Sequence, residues 1–186
     1  MPIPLNDLQR VQQQCWHADD ELRWIVAAIS DTGCRMAEIV GLSKTDVRLD
    51  GDIPHISIRP RPWRRLKTVS SERDIPLVGS ALWGLTRAYQ STNSEMLFPR
   101  YNDGVSTNSN SASAALSKWL KQQTNPDCTM HSFRHSFRDR LRAVECPIEL
   151  ADALGGWSTD GIGAAYGQGY SLQLKQKWLS ATVLKP

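Results

Sequence analysis

The chain has 186 residues, of which 40% are hydrophobic and 22% charged, values typical of one soluble globular domain and not of a disordered protein. Its formal net charge of +3 is basic but too small to indicate a polyanionic partner unless the charge is clustered. No apolar run approaches the ~20 residues of a membrane-spanning helix, and the four cysteines are spaced too widely to predict a disulfide framework or a zinc site. We therefore expect a protein of a reducing cytosol that binds no metal.

The first half of the chain alternates between helical and strand patterns. Apolar spacing predicts a helix over residues 5–29 that Thr32-Gly33 ends, followed by a short helix over residues 34–42. Residues 46–77 predict a small antiparallel sheet of about three strands, with Asp50-Gly51 as a hairpin turn between the first two. A further helix follows the last strand.

The second half of the chain is mainly helical. The polar residues 101–113 predict a loop that caps a helix over residues 114–123, and the next helix begins at His131. Pro147 starts another helix, which Gly155-Gly156 stops, and residues 172–184 form a last amphipathic helix. The fold class is therefore α+β, mainly helical, with a small sheet.

The helix that begins at His131 has two unlike faces at 100° per residue. One face is an ordinary apolar stripe made of Phe133, Phe137, Leu141 and Val144. The other face carries only basic side chains: His131, Arg134, His135, Arg138 and Arg142. Such a face suits a phosphate, because arginine donates paired N–H groups and a helix N-terminus adds a positive dipole. A solvated basic face explains this helix equally well when it is taken alone.

Two other segments offer polar groups for the same chemistry. Arg35 and Glu38 are three apart on one helical face, so the carboxylate can hold the guanidinium in a fixed pose, although a plain surface ion pair is the simpler interpretation. The segment Arg59–Lys67 is rich in basic residues within a predicted hairpin, where Lys67 can reach and protonate a leaving-group oxygen. A solvated charged hairpin is the alternative.

The last segment with possible chemistry is Leu154-Gly-Gly-Trp157 with Tyr166 nine residues further on. Tyr166 lies between Gly163 and Gly167, so little side-chain bulk surrounds its hydroxyl. A lone tyrosine is usually a core or surface residue, and only the other three segments make a nucleophile of it.

Together and in this order, these segments resemble the tyrosine recombinase (phage integrase) family over residues 31–166. The family's T-G-x-R-x-x-E-x-x-x-L helix matches Arg35 and Glu38, its hairpin lysine matches Lys67 before Arg73 and Pro76-Leu77, and its H-x-x-R box matches His131 with Arg134. Its L-G-G-W box and following tyrosine match Trp157 and Tyr166. The chain departs from the common pattern at Trp157, where many members have a second histidine, and at Gly161 and Gly163.

The resemblance implies a role for each matched residue, within the family's DNA breaking-rejoining fold. Tyr166 would attack a DNA phosphodiester, Arg35 and Arg134 would stabilise the transition state, and Lys67 would protonate the 5′-oxygen. The resemblance also implies proton transfer for His131 and a bond to a phosphate oxygen for Trp157. Beside these residues, we expect Glu38 and His135 to support the site and five arginines to contact DNA: Arg59, Arg61, Arg64, Arg65 and Arg138. No cofactor, ATP or metal is implied.

The expected whole is one catalytic domain over residues 1–186, without the N-terminal core-binding domain that family members carry. Its C-terminal segment, about 171–186, would dock either on a neighbouring protomer or on its own domain. The expected partner is double-stranded DNA. We expect the chain to be a monomer alone and a homotetramer on DNA, in the cytoplasm of a bacterial host. The alternatives are a type IB topoisomerase, which uses nearly the same residues, and a DNA-binding regulator that keeps the fold but not the reaction.

Overall fold

A computed structural model describes residues 1–158 and 169–184 of the chain. The described elements are α1 Leu5–Ala18, α2 Glu21–Thr32, α3 Met36–Val40, β1 Val47–Arg48, β2 His55–Ile58, β3 Arg73–Pro76, α4 Gly79–Ser91, α5 Ser109–Gln123, α6 Ser132–Ala143, α7 Ile148–Gly155 and α8 Leu172–Ala181. The predicted class, mainly helical with one small antiparallel sheet, is confirmed. Within the described ranges, no helix is long and apolar enough to cross a membrane.

The helix predicted over residues 5–29 is two helices, α1 and α2. Asp19 ends α1 in the left-handed conformation, with φ 45°, and Asp20 caps α2 by accepting a hydrogen bond from the Arg23 amide at 3.0 Å. Aspartate is among the few residues that adopt the left-handed conformation readily, and it is a preferred helix N-cap. The Asp19 carboxylate accepts hydrogen bonds from the Trp24 and Arg87 side chains. The apolar spacing continues across this break, which is why it predicted one helix.

The sheet has the order β1-β2-β3 with both pairs antiparallel. Ile56 lies opposite Ile75, and Ile58 lies opposite Arg73. Both isoleucines of β2 are fully buried, as the alternation of a one-sided sheet requires. The Arg59–Lys67 segment therefore follows the end of β2 that pairs with the start of β3.

The core is formed chiefly by α2, which packs against α1, α4 and α6. Residues 25–29 of α2 are all buried, and the predicted stripe of α6 supplies Phe133, Phe137 and Leu141, each fully buried. Among the side chains around this core is Arg140, whose Nη1 donates to Asp31 Oδ1 at 2.8 Å. The C-terminal half of α6 is thus joined to α2 by an ion pair as well as by packing.

The C-terminal helix α8 lies on the sheet of its own chain. Lys175 Nζ donates to the Asp74 carbonyl of β3 at 2.9 Å, and Leu179 is fully buried. Docking of this segment on another protomer would have to break these contacts.

Candidate active site

Arg35 is the residue that precedes α3, and three contacts orient its guanidinium. Nη1 donates to Glu38 Oε1 at 2.7 Å and to Ser71 Oγ at 3.1 Å, and Nη2 donates to the Gly156 carbonyl at 3.5 Å. The side chain is still 24% exposed. Arg35 is therefore held in place and keeps donor surface for a ligand.

Glu38 is the carboxylate that joins two guanidiniums. Arg73 Nη2 donates to Glu38 Oε2 at 2.9 Å, and both of these side chains are 3% exposed. Burial alone would raise the pKa of Glu38, but the charge and hydrogen bonds of Arg73, with the bonds from Arg35, lower it to about 2. Glu38 is accordingly ionised at neutral pH, and its carboxylate fixes the orientation of the Arg35 guanidinium.

Arg73 is a residue to which the sequence analysis gave no role. Its Nε donates to the Leu154 carbonyl at 2.9 Å, and its Nη1 donates to the Ser71 carbonyl at 2.6 Å. It therefore ties β3 to α3 and to the end of α7. Its place in the motif between Lys67 and Pro76-Leu77 was the signal that could have indicated such a role.

Arg134 lies in the first turn of α6 and is buried, with 4% of its surface exposed. Its Nη1 donates to the Gly33 carbonyl, just before the Arg35 segment. Burial and the neighbouring charge of Arg35 lower the pKa of Arg134 to about 10. Two guanidiniums that repel each other in this way are stabilised when an anion binds between them.

Two further basic residues, His131 and Lys67, lie near Arg35 and Arg134. His131 directly precedes α6 and meets the ring of His135 edge-on, with 5.2 Å between ring centroids. Partial desolvation and the positive charges of Arg134, His135, Arg35 and Lys67 lower the pKa of His131 below its usual range. Lys67 lines, with Arg35 and Glu38, an open depression of about 340 Å³.

Trp157 follows α7 and packs against α6. The Cζ atoms of Arg134 and Arg138 lie 5.0 and 4.7 Å from the centre of its ring system. A β-carbon on Gly155 would come within 2.0 Å of this ring, so glycine is needed there. The predicted nucleophile Tyr166 lies outside the described residues, as do Gly161 and Gly163.

Most of the arginines expected to contact DNA are paired with carboxylates. Arg64 is corrected from a DNA contact to a structural residue, because its side chain is 0% exposed in an ion pair with Asp46. Arg61 pairs with the same carboxylate and remains 34% exposed. Of the other arginines expected to contact DNA, Arg59 pairs with Asp74 and Arg138 pairs with Asp152.

The basic face predicted for α6 is therefore not a single exposed surface. Arg134 points into the protein, His131 and His135 are exposed, and Arg142 is exposed and paired with Asp139. Arg65, in the hairpin segment, is exposed and lines the depression beside Lys67. Three positive groups, Arg35, Lys67 and Arg134, interact electrostatically with His131.

A model of the phage integrase family matches residues 5–170 of the chain. The chain belongs to the phage integrase family. No curated protein sequence matches the chain. Among solved structures it is similar to the Tn1549 transposon integrase in complex with circular intermediate DNA, with a TM-score of 0.64 and 13% identity over 89% of this chain and 63% of that one.

Two structures of Tn1549 integrase variants give the same result. One, with circular intermediate DNA, has a TM-score of 0.65 and 14% identity over 96% of this chain and 60% of that one. The other, with transposon right end DNA, has a TM-score of 0.63 and 15% identity over 96% of this chain and 61% of that one. These likenesses establish the fold of this family member, which spans less than two thirds of the length of those chains.

Proposed function

We propose that the chain is the catalytic domain of a site-specific DNA recombinase, an integrase of a phage, prophage or genomic island. The observation that carries the proposal is the grouping of four basic residues: Arg35 and Lys67 line one depression, and His131 interacts electrostatically with Arg35, Lys67 and the buried Arg134. Such a cluster suits a phosphodiester whose negative charge grows in the transition state. Membership of the phage integrase family supports the same reaction.

The proposed reaction is phosphoryl transfer to a tyrosine. The hydroxyl oxygen of Tyr166 attacks the scissile phosphorus and forms a 3′-phosphotyrosine, while the bond from phosphorus to the 5′-oxygen breaks. His131 accepts the tyrosyl proton, which fits its lowered pKa because the ring is then neutral at pH 7. Lys67 donates a proton to the departing 5′-oxygen. The ester conserves the bond energy, so we propose that neither ATP nor a metal takes part.

Partners and assembly follow from this reaction. We propose double-stranded DNA as the substrate, bound by four copies of the chain during strand exchange and contacted largely through its phosphates. Among the basic residues of the hairpin segment, Arg65 is the most available for such contacts, because Arg59, Arg61 and Arg64 are paired with carboxylates. Binding through phosphates predicts a steep loss of affinity with salt.

The test is a nicked suicide substrate, in which the cleaved end diffuses away and traps the covalent intermediate. Wild type is expected to form a protease-sensitive protein–DNA adduct, and Tyr166→Phe is expected to form none. An adduct of equal yield in Tyr166→Phe would refute Tyr166 as nucleophile. Tyr170→Phe is the matched control, since that hydroxyl is exposed and donates to Glu149 Oε2 at 3.1 Å.

Two further assays distinguish the alternatives. Resolution of Holliday junctions supports the recombinase, whereas relaxation of supercoiled DNA without strand exchange supports a type IB topoisomerase. DNA binding without any adduct supports a non-catalytic regulator. The intact set of Arg35, Lys67, His131 and Arg134 favours an enzyme, because a binding protein needs no proton donor or acceptor at the phosphate.

A further inference from the structure

The segment between β2 and β3 contains a turn that is fixed from the inside by a buried carboxylate. Asp46 has a side-chain exposure of 0%. Its Oδ1 accepts hydrogen bonds from Arg61 Nη2 at 2.6 Å and Nε at 3.1 Å, and its Oδ2 accepts one from Arg64 Nη1 at 3.0 Å. The Ser43 amide donates to Oδ2 at 3.1 Å. Two arginines of the hairpin segment are thus bound to one acidic side chain.

The same turn is also tied to the end of α3. Arg64 Nη1 and Trp63 Nε1 both donate to the Gly41 carbonyl at 3.0 Å. The backbones of Arg61 and Arg64 exchange two hydrogen bonds of 3.0 Å each, which closes the turn. Because α3 begins beside Arg35, these contacts connect the hairpin segment to the helix that presents an active-site arginine.

Lys67 lies in the sequence between this turn and Ser71, which contacts Arg35. It is three residues beyond Arg64, a span of at most about 11 Å of extended chain. On its other side, Ser71 is buried and accepts from Arg35 Nη1 at 3.1 Å. Thr68 and Ser71 join their hydroxyls at 3.0 Å. Both attachments therefore limit where the exposed Lys67 ammonium can lie.

We propose that Asp46 is a positioning residue for proton delivery by Lys67. Asp46 is buried beneath the turn and would touch no reacting atom. It neutralises Arg61 and Arg64 and so keeps the turn closed, which holds Lys67 over the depression that it shares with Arg35. The inference rests on the proposed function, because it assigns Lys67 the transfer of a proton to the 5′-oxygen.

The test compares two nicked DNA substrates, one with oxygen and one with sulfur at the 5′ bridging position. A thiolate leaves without a proton, so the sulfur substrate does not depend on a general acid. Asp46→Asn is expected to slow covalent adduct formation on the oxygen substrate roughly 10- to 100-fold, as misplacement of a catalytic group does. The sulfur substrate is expected to restore its rate to within about threefold of wild type, as it does for Lys67→Ala.

A second variant and a control keep the test decisive if Asp46→Asn folds poorly. Arg61→Gln removes the partly exposed arginine from Asp46 and is expected to show a smaller loss with the same sulfur rescue. Asp139→Asn breaks an exposed ion pair with Arg142 and should leave both rates unchanged. The Arg61 and Arg64 amides each donate to the carbonyl of the other residue, and their hydrogen exchange should accelerate in Asp46→Asn and in Arg61→Gln.

The outcomes separate the two proposals. Equal slowing on both substrates, or no slowing on either, overturns the positioning role of Asp46 while the proposed function stands. Failure of wild type to form an adduct with either substrate overturns the proposed function and this inference with it. Failure of sulfur to rescue Lys67→Ala overturns the assignment of Lys67 as the proton donor.

Discussion

Replacement of Glu38 by glutamine is expected to destabilise the protein by about 3 kcal/mol at pH 7. The folded protein lowers the pKa of this carboxyl from 4.5 to about 2, and each pH unit corresponds to about 1.36 kcal/mol. Removal of one partner from a buried ion pair costs about 3–5 kcal/mol, an independent estimate of similar size. For a chain of this length the loss lowers Tm by roughly 6–12 °C.

The pH dependence of this loss follows from the direction of the pKa change. Because the pKa of Glu38 is depressed on folding, its stabilisation is complete above pH 4.5 and is lost as the pH falls towards about 2. The difference in unfolding free energy between wild type and Glu38→Gln, measured in urea, should therefore shrink from pH 6 to pH 3. A difference below about 1 kcal/mol at pH 6 is no larger than an exposed pair gives, and it would show that Glu38 is not a stabilising buried anion. A difference that does not shrink towards pH 3 would show the same. Asp139→Asn, in an exposed pair, is the control and should change stability by less than about 1 kcal/mol.

Two further predictions concern Gly156, directly after α7, and His131, the proposed proton acceptor. Gly156→Ala should cost about 1–3 kcal/mol in urea unfolding, because φ is +63° and the new β-carbon would lie 2.7 Å from Arg73 Nη1. Gly104→Ala, at φ +82° with its nearest neighbour at 3.7 Å, should cost less, and an equal cost would contradict the contact with Arg73. The rate of adduct formation in wild type should be level near pH 7 and fall below pH 6.5 as His131 becomes protonated, since its pKa is lowered. His131→Gln should be slower and lack this fall, and an unchanged acid limb in that variant would assign it to another group.

The sequence predicted those parts of the fold that depend on local spacing. The apolar stripe of α6, the three-stranded sheet and the end of α7 at Gly156 are confirmed, because each follows from periodicity or from backbone conformation within a few residues. The single helix over residues 5–29 was wrong, because a break by Asp19 and Asp20 leaves the apolar spacing intact.

The parts that could not be predicted depend on pairs that are distant in the sequence. Arg64 and Asp46 are 18 residues apart, and Arg140 and Asp31 are 109 apart. No local pattern marks either partner, and Arg64 was therefore expected to contact DNA. Helical periodicity placed Arg134 on the basic face of α6, whereas the structure buries it against the Gly33 carbonyl, 101 residues away in the sequence.

The central claim is that Arg35, Lys67, His131 and Arg134 serve a nucleophile at Tyr166. The most direct measurement is mass spectrometry of the peptide that remains attached to the DNA after a wild-type adduct is digested with protease. We expect a 3′-phosphate linked to the Tyr166 side chain of that peptide. Attachment at Tyr170 or at any other side chain would contradict it.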